Sequence, residues 1–152
     1  ADLARLCAER ATPEMKADLV SLAQQMKDAA AKQDERTNAE IFRFDVLFWE
    51  RLADGAGNIA YRLALNTMIR SSQANGALAI HWVAEQLKLD DFRRAVAAAI
   101  ASGDARKAEA LTREAMRAES ERFAVAIGKG RERPVEAKPR RRAPKAAASN
   151  KG

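Results

Sequence analysis

The chain has 152 residues, enough for one domain of ordinary size, with 27 Lys and Arg against 21 Asp and Glu. The charge is unevenly placed. Lys129–Gly152 holds nine basic and two acidic residues, a charge of +7, which leaves the body, Ala1–Gly128, at −1. A single cysteine, Cys7, excludes an internal disulfide and fits a reducing, cytoplasmic setting; a single histidine, His81, excludes an ordinary structural zinc site; and no apolar run approaches the roughly 18 residues of a membrane span. Alanine, the best helix former, occurs 35 times, so an all-α bundle is expected before any pattern is read.

In chain order, Leu3, Leu6, Cys7 and Arg10 read as the end of a helix already under way at residue 1. Thr12-Pro13-Glu14 is a start signal: a capping hydroxyl, a proline at the first helical position and an acid in the first turn. The helix behind it carries Met15, Leu19, Leu22 and Met26 as one apolar stripe, then fades into a polar loop, Lys32–Arg36. Thr37-x-x-Glu40 reads as a capping box for the richest segment, Ile41–Leu52, which holds four of the eight aromatic residues; Gly55 and Gly57 stop that helix. A further helix over 59–71 has Ile59, Leu63 and Ile69 as buried candidates and Asn58 as its cap. Gln73–Gly76 reads as a break, Leu78–Leu87 as helix, and Asp90 as the cap of a helix over 91–102. Gly103 ends that helix, and Asp104 caps a last long helix to about Ile127, closed by Gly128. The expectation is an antiparallel bundle of six to seven helices, residues 1–128, with a basic low-complexity tail, 129–152. The tail's Pro134, Pro139 and Pro144 and its lack of apolar residues predict disorder.

Few residues could carry chemistry. Asp45 shares a helix face with Trp49; if that face turns inward with Phe48 and Leu52, the carboxylate needs an arginine, a metal or several hydrogen bonds, because an isolated buried charge is very costly. The other reading places Asp45 in water beside Arg43 and Arg51. Tyr61 and Asn66 are polar groups on a largely apolar helix, and Arg93 matters if it points at Asp45 or at a ligand anion. There is no Gly-x-Ser-x-Gly, no cysteine with a positioned histidine and no phosphate loop, and no carboxylate pair is clearly placed for proton transfer. An enzyme is not expected.

These residues resemble the C-terminal, all-helical ligand-sensing (FCD-type) domain of the FadR subfamily of GntR-type bacterial transcription regulators. Ala4–Glu14 looks like the end of that domain's first helix and the start of its second. Asp45-Val46-Leu47-Phe48-Trp49-Glu50-Arg51-Leu52 followed by Gly57-Asn58 is similar to its Asp-x-x-Phe-His-x-x-Leu…Gly-Asn signature. Asn58-x-x-Tyr61-x-Leu63-x-Leu65-Asn66 continues it, and Ala99-Ile100-x-x-Gly103-Asp104-x-x-x-Ala108 resembles its turn into the last helix. Many members hold a divalent metal with one Asp and three His. Here Asp45 keeps the first position, while the other three fall at Trp49, Arg93 and Ala115, so the resemblance implies a metal-free member with no cofactor. On charge balance, Arg93 takes over the metal's positive charge, either neutralising Asp45 or gripping a ligand carboxylate or phosphate.

The resemblance implies a dimeric repressor-type sensor of an organic acid or acyl-CoA-like effector, not associated with membrane. Its ligand site is expected at Asp45, Phe48, Trp49, Tyr61, Asn66, Arg93 and Ala115. Operator DNA would be read by a winged helix-turn-helix that the family places before this domain and that is absent from these residues. The alternative is a helical protein that binds nucleic acid or another polyanion non-specifically through its +7 tail.

Overall fold

The structure, a computed structural model, describes residues 1–32, 34–74, 76–89 and 91–131. Within them the chain is seven helices and no strand: α1 (Asp2–Arg10), α2 (Pro13–Ala31), α3 (Glu35–Ala56), α4 (Ile59–Ala74), α5 (Gly76–Leu89), α6 (Phe92–Ala101) and α7 (Ala105–Arg131). The connections are one to three residues long, which makes consecutive helices neighbours. The tail beyond Arg131 and the proposed cap Asp90 lie outside the described residues.

Most boundaries follow the local chemistry. The Thr12 hydroxyl accepts from the Met15 amide at 3.3 Å with Pro13 at the start of α2, and Asp104 accepts from the Lys107 amide at 3.0 Å to open α7. Asn58 caps α4 by accepting from the Ala60 amide at 3.0 Å. Gly57 and Gly103 terminate α3 and α6 with φ of +59° and +75°, a region that side chains disfavour.

Four boundaries differ from the sequence reading. Helix α3 begins at Glu35, so Thr37 is inside it rather than at its cap; its hydroxyl donates back to the Asp34 carbonyl at 2.6 Å. Gly55 does not stop α3 but lies within its last turn, where a Cβ would sit 2.7 Å from Cys7 Sγ and 3.0 Å from Ala11 Cβ. Glycine there lets α1 and α3 touch. Helix α4 runs on through Gln73 and Ala74 before Gly76, whose φ is +33°. Helix α7 continues past Gly128 to Arg131, since a glycine costs a helix only about 1 kcal/mol and 27 residues carry it.

Helix α3 is the axis of the bundle, packing on α1, α2, α4 and α5, while α6 and α7 close the other side against α1 and α2. Leu19, Met26, Phe48, Leu52 and Ile100 are essentially inaccessible, each contributing about 1.5–3 kcal/mol of burial. Two cations clamp helix ends: Arg10 Nη1 donates to the Ala56 carbonyl at 3.1 Å, and Lys16 Nζ to the Ala8 carbonyl at 2.9 Å. Helix α4 has no fully buried residue, and two of its expected core positions are exposed: Ile59 is 73% and Leu63 60% accessible, with Ile69 half-buried. Hydrophobic spacing identifies a helix face but not what covers it.

Candidate functional site

Asp45 occupies the inward face of α3, one turn before Phe48 and Trp49, and is 7% exposed. The wet-side alternative is thereby excluded, while Arg43 faces solvent with its guanidinium 5.1 Å from the Phe44 ring. Arg93 enters from the first turn of α6, is 3% exposed, and donates from Nε to Asp45 Oδ1 at 2.5 Å. The ion pair expected from charge balance therefore forms, in the interior. The guanidinium compensates the charge of the buried carboxylate.

Aromatic rings wall the pair. The Phe92 ring lies 4.5 Å from Arg93 Cζ. Trp49, half-buried, reaches Phe92 with centroids 6.4 Å apart and meets the fully buried Phe48 edge-on at 5.8 Å. Ala115 is buried on α7 at 6% exposure. Four residues further along the same helix, Glu119 brings a second carboxylate to Arg93, with Oε1 3.7 Å from Nη1 and the side chain 18% exposed. That distance allows charge attraction but no hydrogen bond. Arg93 Nη1 is buried and makes no hydrogen bond among the described residues. An unmade bond of this kind costs about 1–3 kcal/mol. Gln86 on α5, 4% exposed, likewise has an Oε1 with no hydrogen-bond partner among the described residues.

Asp45, Phe48, Trp49 and Arg93 thus converge through α3 and α6, and α7 contributes Glu119. Tyr61 and Asn66 stand apart on α4. Tyr61 donates its hydroxyl to Asp2 Oδ2 at 2.8 Å, tying α4 to α1. This bond raises the phenol above its ordinary range and, together with Arg5, holds the Asp2 carboxyl below its own. Asn66 is half-buried and hydrogen-bonds to neither Asp45 nor Arg93. Sequence reasoning missed Glu119 and Gln86. Glu119 is one acid among many charges on α7, and only its position one turn after Ala115 marked it.

The donor set does not fit a metal. Trp49, Arg93 and Ala115 supply no ligand atom, the Asp45 carboxylate is held by a cation, and the described residues contain no group of three His, Cys, Asp or Glu able to hold one. His81 is exposed on α5. Two clefts lie elsewhere: one of about 450 Å³ between α2 and α6, lined by Val20, Ala23, Asp91 and Arg94, and one of about 300 Å³ between α2 and α3, lined by Asp18, Glu50, Arg51 and Arg62. Neither reaches the Asp45–Arg93 pair. No described helix is long and apolar enough to cross a membrane.

No curated protein and no solved structure matches the chain. A family model of the FCD domain matches residues 1–118, which span α1 to the middle of α7 and include Asp45, Arg93 and Ala115. The chain therefore belongs to the FCD domain family, the C-terminal, ligand-binding domain of GntR-family transcription regulators.

Proposed function

We propose that this effector domain senses an organic acid or acyl-CoA-like ligand without a metal, in an interior site built on Arg93, and passes the binding event to a DNA-reading winged-helix domain outside these residues. The observation that carries the reading is the buried Arg93–Asp45 pair, with a guanidinium arm still short of a hydrogen bond. Arg93 is the anion-binding group and Asp45 positions it. Phe48, Trp49 and Ala115 form the apolar wall for the ligand's carbon skeleton. Tyr61 and Asn66 would join from α4, Tyr61 only by releasing Asp2. Ligand affinity must differ between two arrangements of the bundle for DNA affinity to change. No proton-transfer chemistry enters this reading, and the domain acts in the cytoplasm as a binder, not an enzyme.

Dimerisation belongs to the same reading. It is supported by the apolar residues that α4 and α5 leave in water: Ile59, Leu63, Met68 and Leu78, at 73, 60, 67 and 66% exposure.

The test is a thermal-shift screen of mono- and dicarboxylates and acyl-CoAs in chelator-treated buffer, on the chain and on Arg93→Met. At least one acid should stabilise the parent and lose its effect in the variant. An acid that stabilises both equally would overturn the assignment of Arg93.

A further inference from the structure

We infer that Glu119 is an internal stand-in for the effector's carboxylate: it occupies the outer arm of Arg93, and an acid ligand binds there by displacing it. This rests on the acid-sensing reading above and specifies where the carboxylate goes. Arg93 presents two sides. Its Nε edge is committed to Asp45 at 2.5 Å. Nη1 is buried and without a hydrogen bond among the described residues, and Glu119 Oε1 lies 3.7 Å from it. The two carboxylates are therefore not equivalent. Asp45 makes a close charge-assisted bond, whereas Glu119 provides charge compensation at a distance beyond hydrogen bonding.

A free carboxylate able to approach Nη1 closely would complete the bond that Glu119 leaves unmade. Glu119 is also the more accessible of the two carboxylates, 18% exposed against 10% for the Asp45 side chain, and turning outward would rehydrate it. Helix α7, which carries Glu119, packs on α1 and α6.

The test needs no knowledge of the natural effector, because acetate is the minimal carboxylate. Truncating Glu119→Ala vacates the position and leaves Arg93 to be refilled. Thermal unfolding of the 152-residue chain is followed in acetate and in chloride at equal ionic strength. In about 0.2 M acetate the Glu119→Ala variant should gain at least about 3 °C over chloride by ligand linkage, and the parent chain and Arg93→Met/Glu119→Ala should not. If the variant is unfolded in chloride, recovery of its helical signal in acetate supports the inference, and no recovery in either salt overturns it. An equal acetate effect in all three proteins, or none in Glu119→Ala, also overturns it. Neither failure touches the effector reading, since an effector could still bind Arg93 without replacing Glu119. Conversely, acetate rescue stands even if no acid in the effector screen binds.

Discussion

Replacing Arg93 with methionine leaves the Asp45 carboxylate 7% exposed and without the cation that neutralises it. Removing one partner of a buried pair typically costs about 3–5 kcal/mol, a large part of the 5–15 kcal/mol that holds a domain of this size. Asp45→Asn should cost less, about 1–3 kcal/mol, because the amide oxygen still accepts from Arg93 Nε and Glu119 still faces Nη1. Removing both charges, as Asp45→Leu/Arg93→Met, removes the desolvation penalty together with the attraction. The double variant should lie within about 1–2 kcal/mol of the parent. Urea unfolding followed by far-ultraviolet circular dichroism reads all four proteins, with Asp45→Leu completing the cycle. The double variant should be more stable than either Arg93→Met or Asp45→Leu. If instead the two single costs simply add, the pair does not act as a unit and the site's organisation is wrong.

Three further outcomes follow from other parts of the molecule. Gly55→Ala should destabilise by about 1–3 kcal/mol because its methyl meets Cys7 Sγ at 2.7 Å, and Cys7→Ala in the same chain should recover part of that loss, read by the same urea titration. The Cys7 thiol is pushed up from 9.0 to about 11, chiefly by burial; the folded state therefore holds its proton more tightly than the unfolded one. Stability from this group is intact below pH 9.0 and is lost as pH rises towards about 11, and a thiol reagent should label the native chain far more slowly than the urea-unfolded chain at mildly alkaline pH. Leu63→Glu places a charge on the exposed face of α4, where Leu63 is 60% accessible; light scattering should show a shift from twice 16.6 kDa to 16.6 kDa with an unchanged helical signal. An unchanged mass would remove α4 from the dimer surface.

Local signals told most of the fold. Thr12-Pro13, Asn58, Gly57, Gly103 and Asp104 each act through a backbone hydrogen bond or a positive φ within a few residues, so their effect is readable without tertiary context. Most of the differences arose where a partner distant in sequence decides. Gly55 looked like a stop because a glycine's close contact with Cys7, 48 positions away, leaves no local trace. Thr37-x-x-Glu40 satisfied the capping pattern, but the helix had already started, and the hydroxyl serves the Asp34 carbonyl. Ile59 and Leu63 carry core chemistry at core spacing, and only the fold reveals that they face outward.

The site divides along the same line. Asp45 was legible because it is a charge set among apolar neighbours, and a buried charge demands its opposite; Arg93, beside Asp91 and Arg94, was legible only because the family resemblance puts it at a metal-ligand position. Glu119 was not, because on a helix full of Glu, Arg and Lys a carboxylate is ordinarily solvated. Its proximity to Arg93 depends on how α7 lies against α6.

The central claim is that Arg93, with Asp45 behind it, serves as the anion receptor in place of a metal. The most direct measurement is isothermal titration of an acid found in the thermal screen into the chelator-treated chain and into Arg93→Met. The account predicts binding that survives the chelator and is lost in the variant. Binding abolished by the chelator, or retained in full by Arg93→Met, would contradict it.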